Sequence, residues 1–181
     1  TKFSDIIMQD TTRVIFDNIL TSKQIPNMIL HGPPGTGKTT AIINLKRYLY
    51  SSSEIKELTI HLNASDDRGV DVVRKQISLF VKSKNMFYKG CKVVIMDEVD
   101  SMTPTAQREL ISIISSYGLN ANVSFILMCN FYSRLDSVLT EYFVRIPFSH
   151  LDKNPVIDMI RTVCEKESIV FDRDNATTLY E

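Results

Sequence analysis

The sequence lacks the features that are typical of secreted, zinc-binding or membrane-spanning proteins. Its three cysteines, Cys91, Cys129 and Cys164, are far apart and form no C-x-x-C pair. We therefore expect a reduced, intracellular chain without a cysteine-based zinc site. The three histidines are scattered as well and have no metal-ligand spacing. No apolar run approaches the roughly 18 residues of a membrane span, and residues 1–5 are too polar for a secretory signal.

The chain also has no net charge, because 21 basic residues balance 21 acidic ones. A polyanionic partner must therefore meet a local basic patch. Between Arg68 and Lys92, seven basic residues accompany one acid, Asp71. Such a cluster fits a phosphate backbone contacted without base readout, or else a solvated helix face. Its basic members are Arg68, Arg74, Lys75, Lys82, Lys84, Lys89 and Lys92.

Residues 32–39, GPPGTGKT, match the G-x-x-x-x-G-K-[ST] phosphate-binding loop in full. The glycines let backbone N–H groups point at a phosphate, Lys38 can reach the outer phosphates, and the Thr39 hydroxyl can hold Mg²⁺. An apolar run precedes the loop and helix-forming sequence follows it, which is the context that the motif needs. The predicted nucleotide contacts are Gly32, Pro33, Pro34, Gly35, Thr36, Gly37, Lys38, Thr39 and Thr40.

A second motif, VVIMDE at residues 93–98, brings an acidic pair to the end of an apolar strand. Parallel sheets bind ligands at the carboxyl ends of their strands, so we expect Asp97 to hold Mg²⁺, directly or through water. Glu98 is expected to orient and deprotonate the water that attacks the γ-phosphate. The two carboxylates favour hydrolysis over binding alone.

Asn130 ends the next apolar strand. Its side chain can bond both the γ-phosphate and the attacking water, although asparagine at a strand end is also a common turn former. The sequence contains no N/T-K-x-D guanine signature. This absence favours ATP over GTP as the nucleotide.

Strands alternate with helices, and each strand is a continuous apolar run. The pattern predicts an α/β fold with a five-stranded parallel sheet sandwiched by helices. Residues 51–53 are predicted to form a turn before a strand at 58–63. We expect an ATPase domain over 1–150 and the start of an all-α domain, incomplete, over 151–181. The missing initiator methionine and an end inside a helical pattern suggest a piece of a longer protein.

Taken together, these residues resemble a P-loop NTPase of the AAA+ class, and more narrowly a clamp-loader subunit of the replication factor C type. The resemblance covers nearly the whole chain. HGPPGTGKTT at 31–40 is shared by many AAA+ proteins. LNASDDRGVDVVRKQI at 62–77 and VVIMDEVDSMTPTAQREL at 93–110 are close to clamp-loader signatures.

The resemblance implies an ATP- and Mg²⁺-dependent subunit of a heteropentamer. That assembly opens a sliding clamp and places it on primer–template double-stranded DNA during replication, without membrane contact. The implied location is intracellular: the nucleus of a eukaryote, or the host cytoplasm or nucleus for a virus. The implied site residues are Lys38, Glu98 and Asn130 for catalysis, Thr39 and Asp97 for the metal, Arg74, Lys75 and Arg108 for the DNA backbone, and Ile6 and Ile7 for the base. Core packing is the alternative for the two isoleucines, and the last residues resemble a helical lid that ends before its sensor arginine.

One stretch departs from the family pattern. Small clamp-loader subunits carry a Ser-Arg-Cys motif whose arginine acts on the neighbouring subunit's ATP, and the matching positions here are Glu141, Tyr142 and Phe143. The nearest arginine, Arg145, lies on the following predicted strand and does not align. The mixture suggests a divergent clamp loader, from a large DNA virus or an unusual eukaryote, that receives a neighbour's arginine without obviously supplying one. The alternatives are another DNA-associated AAA+ motor, such as a branch-migration helicase or a remodeller, and a nucleotide-gated scaffold.

Overall fold

The computed structural model describes residues 6–65, 70–83, 88, 90–117 and 122–180. Within them, five strands form one parallel sheet, in the order β2-β3-β4-β1-β5. The predicted α/β architecture is therefore confirmed. The strands are β1 Met28–His31, β2 Thr59–Asn63, β3 Lys92–Asp97, β4 Val123–Cys129 and β5 Val144–Pro147. The helices are α1 Asp10–Ser22, α2 Lys38–Leu49, α3 Ser52–Leu58, α4 Val70–Lys82, α5 Pro104–Tyr117, α6 Ser137–Thr140, α7 Lys153–Lys166 and α8 Arg173–Tyr180.

The three central strands, β1, β3 and β4, are buried on both faces, which explains why they are continuous apolar runs. The edge strands β2 and β5 are more exposed, so the predicted apolar run does not extend to them. Successive strand residues point to opposite faces. On β3, for example, Ile95 joins a core with Phe16 of α1 and Leu45 of α2. Its neighbour Met96 joins a second core, with Leu110 of α5 among its members. The sheet is thus held between two helical layers, and its edge remains the place where polar groups can gather.

The strand order determines which side chains meet at the carboxyl edge. β1 lies between β4 and β5, and β4 also pairs with β3. His31 at the end of β1 pairs with Cys129 at the end of β4. The phosphate loop that follows β1 therefore starts beside the residue that follows β4.

The serines at 51–53 begin a helix, so the predicted turn at these positions is wrong. Ser51 caps α3 with a capping box, in which its hydroxyl accepts the Glu54 N–H at 3.4 Å and the Glu54 carboxylate accepts the Ser51 N–H at 2.8 Å. The helix runs to Leu58, and β2 starts at Thr59. A serine followed three residues later by glutamate is a helix-start signature that was present in the sequence.

Lys92 does not belong to the proposed basic patch, because its side chain is buried at the end of α4. Its ammonium group donates to the carbonyl oxygens of Phe80 at 2.5 Å and Val81 at 3.3 Å, and to both oxygens of Ser83. Burial lowers the pKa of this ammonium group. The last carbonyls of a helix have no partner within the helix, so Lys92 is a C-terminal cap for α4.

This cap predicts a large effect of Lys92→Met on stability. Methionine matches the chain length of lysine but leaves the α4 carbonyls without their donor, so we expect the free energy of unfolding to fall by about 2–3 kcal/mol. The exposed neighbour Lys82 provides the matched control, and Lys82→Met is expected to change it by less than about 0.5 kcal/mol. Urea-induced unfolding measures both. Equal stability of the two variants would contradict the capping role.

Helices α7 and α8 pack against each other and follow the sheet, as the helical C-terminal part of the predicted fold. Ile157 and Ala176 are their buried residues. The division between residues 150 and 151 stays a prediction. Among the helices in the described part of the chain, none combines the length and the apolar character that crossing a bilayer requires.

Candidate functional site

The phosphate loop joins β1 to α2 and points the N-terminus of that helix at the carboxyl edge of the sheet. Gly37, with φ at 92°, precedes the helix, and the first turn of α2 carries no acidic residue. Free backbone N–H groups and the positive end of the helix dipole then meet at one point. Thr36 is buried, and its hydroxyl donates to the Pro33 carbonyl oxygen at 2.9 Å, which fixes the loop internally. The loop has the local structure of an anion site.

Gly32 has a close approach that only glycine can make. Its φ is 149°, and a Cβ at this position would lie 1.7 Å from the Phe148 carbonyl oxygen. The Phe148 N–H donates to the His31 carbonyl oxygen at 2.7 Å, so the same bond that continues the pairing of β5 with β1 brings Phe148 against the loop.

Lys38 is the centre of a hydrogen-bond network that links the loop to β4. Its ammonium group donates to the carbonyl oxygens of Gly32 at 2.6 Å and Pro33 at 2.9 Å, and to Asn130 Oδ1 at 3.0 Å. Burial lowers the pKa of Lys38, and the carboxylates of Asp97 and Asp100 act in the opposite direction. A charged, partly desolvated donor at this position suits a phosphate.

Thr39 and Asp97 form the candidate metal site. The Thr39 hydroxyl donates to Asp97 Oδ2 at 3.3 Å, although the two residues are 58 positions apart. Hydroxyl and carboxylate oxygens are the hard ligands that Mg²⁺ takes. Among the described residues, no group of three or more His, Cys, Asp or Glu side chains is gathered. One hydroxyl and one carboxylate are a donor set of the kind with which Mg²⁺ is commonly bound, together with phosphate oxygens and water.

Glu98 follows Asp97 in an unusual backbone conformation. Its φ of 56° lies in the left-handed region, which is uncommon for a residue with a side chain. Its N–H donates to Asp97 Oδ1 at 2.9 Å, and its own side chain is exposed. The Glu98 carboxylate is thus exposed to solvent at the carboxyl edge of the sheet.

A stack of three side chains borders the network on the β5 side. The Tyr132 ring lies 4.9 Å from the His31 ring and 4.7 Å from the Arg145 guanidinium. Burial, followed by the charges of Arg145 and Lys38, lowers the pKa of His31. This shift favours the neutral form of the His31 ring at the start of the loop. The sequence alone did not indicate this stack, because its members come from three separate elements.

A cavity of about 480 Å³ adjoins the loop at Thr36 and extends between α1, the end of β5 and the start of α7. Ile7 lines this cavity, whereas Ile6 is buried in the core beside α1 and α2. Of the two isoleucines predicted to wall a base, the structure therefore brings only Ile7 to the cavity. A larger cavity, of about 780 Å³, opens beside the amino ends of β3 and β4, at the opposite end of the sheet from the phosphate loop.

The predicted DNA contacts are on two neighbouring helices. Arg74 and Lys75 are exposed on α4, Arg108 is exposed on α5, and the two helices pack against each other. Arg68, Lys84 and Lys89 lie outside the described residues.

The positions that match the Ser-Arg-Cys motif of small clamp-loader subunits follow α6. Glu141 and Tyr142 are exposed there, and Phe143 is buried.

Three features meet at one edge of the parallel sheet: the phosphate loop, the acidic end of β3 and the polar residue after β4. This is the arrangement of a P-loop nucleotide-binding protein. The model of the ATPase family associated with various cellular activities (AAA) matches residues 28–150. The chain belongs to this AAA family.

Curated relatives narrow the similarity further. The chain is 33% identical to human replication factor C subunit 5 over 176 residues, which is 97% of this chain and 51% of that protein. It is 40% identical to replication factor C subunit 3 of Blastobotrys adeninivorans over 146 residues, 81% of this chain and 42% of that protein. It is 34% identical to replication factor C small subunit 2 of Pyrobaculum islandicum, over 99% of this chain and 55% of that protein. The chain thus spans about half the length of these relatives.

Among solved structures, a variant of RuvB from Thermotoga maritima superposes with a TM-score of 0.76 at 14% identity, over 99% of this chain and 58% of that one. At this identity the likeness shows the fold alone. The fold agrees with the family assignment.

Proposed function

We propose that this chain is the ATP-binding and ATP-hydrolysing subunit of a clamp loader. The assembly opens a sliding clamp and loads it on primer–template DNA during replication, in the nucleus if the cell is eukaryotic. The observation that carries the ATPase part is the Lys38–Asn130 and Thr39–Asp97 network at the end of the sheet. Similarity to replication factor C subunits over most of the chain supports the clamp-loader part.

Each site residue has a physical task in this proposal. The loop N–H groups and Lys38 hold the phosphates, and Lys38 exchanges a carbonyl acceptor for a phosphate oxygen. Thr39 and Asp97 would hold Mg²⁺, which would neutralise charge on the phosphates. Glu98 takes a proton from the attacking water, and Asn130 bonds the γ-phosphate. The cavity beside Ile7 takes the adenine base.

The exposed side chains of α4 and α5 contact the DNA backbone in this proposal. Arg74, Lys75 and Arg108 carry positive charge without indicating base readout, so binding should be independent of sequence. The overall neutrality of the chain makes this local charge necessary.

The triple variant Arg74→Ala, Lys75→Ala, Arg108→Ala is expected to weaken DNA binding and to reduce its salt dependence. Each lost phosphate contact lowers the slope of log affinity against log salt by about one. Fluorescence anisotropy of labelled primer–template DNA over a salt series measures this slope. Lys56→Ala, exposed on α3, is the matched control and should leave it unchanged. A triple variant with the wild-type slope would contradict these contacts.

Purification through a tag on this chain tests the function as a whole. The expected result is co-purification of other AAA subunits, binding to a sliding clamp when ATP is present, and ATP turnover stimulated by clamp and primer–template DNA. Strand separation without clamp binding would instead support a helicase-like motor. ATP binding without turnover in the assembly would support a nucleotide-gated scaffold.

A further inference from the structure

The turn after β3 holds the Glu98 backbone from both sides. Its N–H is bonded to Asp97 Oδ1, and its carbonyl oxygen accepts the Ser101 N–H at 2.9 Å and the Ser101 hydroxyl at 2.7 Å. Val99 is fully buried in the core on the α5 side and anchors this turn. The left-handed conformation at Glu98 is thus maintained by three hydrogen bonds and one buried side chain. These contacts fix Glu98 relative to β3.

A separate contact is needed to fix this turn relative to Asn130, because the strand pairing stops short of both. β3 and β4 pair from Lys92 with Val123 up to Met96 with Leu127. The last residues of β4 pair with β1 instead, up to His31 with Cys129. The ladder therefore ties the end of β4 to the phosphate loop and leaves the Glu98 turn outside it.

Asp100 connects this turn to the end of β4 by hydrogen bonds. Its Oδ2 atom accepts the N–H of Asn130 at 3.3 Å and the N–H of Phe131 at 3.0 Å. One carboxylate oxygen from the Glu98 turn thus holds two successive amides at the end of β4. The Asn130 side chain in turn accepts the Lys38 ammonium group. The chain of contacts runs from Glu98 through its own turn to the residue that bonds Lys38.

We propose that Asp100 is a positioning residue that sets the separation between Glu98 and Asn130 for ATP hydrolysis. It acts through the backbone of Asn130 and does not itself contact the nucleotide. The inference rests on the proposed ATPase function. It assigns Asp100 an effect on turnover and not on ATP affinity, since its hydrogen bonds go to the backbone after β4 and none goes directly to the phosphate loop.

Three substitutions test this role in the assembly purified through a tag on the chain. Asp100→Ala removes both bonds, and a misplacement of about 1 Å can lower kcat by roughly 10- to 100-fold, while the Kd for ATP stays within about twofold. Asp100→Asn keeps an amide oxygen that accepts the same two N–H groups and is expected to retain most of the turnover. Asp100→Glu keeps the carboxylate but lengthens the side chain, so it should lower kcat in a protein that still folds. Asp172→Ala is the matched control: it removes an aspartate that accepts the Asp174 N–H at the start of α8, and its turnover should match the wild type.

The outcomes separate this inference from the proposed function. A wild-type assembly that binds ATP without turning it over contradicts both. If the wild-type assembly turns over ATP and Asp100→Ala leaves kcat unchanged, the positioning role alone is contradicted. If the alanine variant does not fold, an unchanged kcat in Asp100→Glu has the same meaning. Equal losses in Asp100→Ala and Asp100→Asn also overturn it, because only the alanine removes the acceptor.

Discussion

Glu98→Gln is expected to lower the ATP turnover of the assembly by about 10²- to 10⁴-fold, the usual contribution of a general base. Glutamine has the size and polarity of glutamate but cannot take up the proton of the attacking water. The Kd for ATP should change by less than about twofold, because the phosphate contacts come from the loop and from Lys38. Single-turnover hydrolysis and equilibrium ATP binding measure the two effects separately.

The control for this prediction is another exposed glutamate, Glu57 on α3. Glu57→Gln changes the net charge by the same amount and should leave turnover unchanged. An assembly that hydrolyses ATP normally with Glu98→Gln would show that the base lies elsewhere. Loss of ATP binding in Glu98→Gln would instead assign the residue to the binding of the nucleotide.

Gly32→Ala is expected to disrupt the loop and to lower the free energy of unfolding by about 3 kcal/mol, the upper range for an overpacked site. The added Cβ would fall 1.7 Å from the Phe148 carbonyl oxygen. Phe148 cannot withdraw without breaking its 2.7 Å bond to His31, so the loop must move and ATP binding should be lost. Urea-induced unfolding and ATP binding of the variant measure the two effects.

Gly35→Ala is the comparison that separates collision from backbone strain. Gly35 has φ at 77°, but nothing lies within 4 Å of an added Cβ. Only the left-handed conformation is penalised there, at about 1–2 kcal/mol. If Gly32→Ala were no more destabilising than Gly35→Ala, the close approach to Phe148 would not control the loop.

Much of the fold followed from the sequence because the three central strands, β1, β3 and β4, are buried on both faces. A continuous apolar run such as 123–129 has a clear start and end, and the structure places β4 over the same residues. Helix α3 shows the opposite case. Its capping box, Ser51 with Glu54, was present in the sequence, but three successive serines favour a turn when their cap is not considered.

Outside the motifs, the environment of a charged or apolar side chain is set by tertiary packing and could not be predicted from the sequence. Lys92 lies in a stretch of sequence that is rich in basic residues. Only the position of α4 against β3 shows that its ammonium group caps a helix. Ile6 and Ile7 are equally apolar, and the path of the chain before α1 decides which of them enters the core. The type of a residue alone therefore does not tell whether its side chain is buried or exposed. The roles of the site residues in ATP binding, hydrolysis and DNA contact stay predictions.

The sequence by itself determined the phosphate loop, the strand that delivers Asp97 and Glu98, and the parallel arrangement of the sheet. These features depend on local backbone freedom and on runs of apolar residues, which are visible along the chain. The tertiary structure alone decided that Asp100 holds the amides of Asn130 and Phe131, and that Gly32 lies against Phe148. Both contacts exist because β4 lies between β3 and β1, with β5 on the other side of β1, and the order of strands in a sheet is a property of the packed molecule rather than of any one segment.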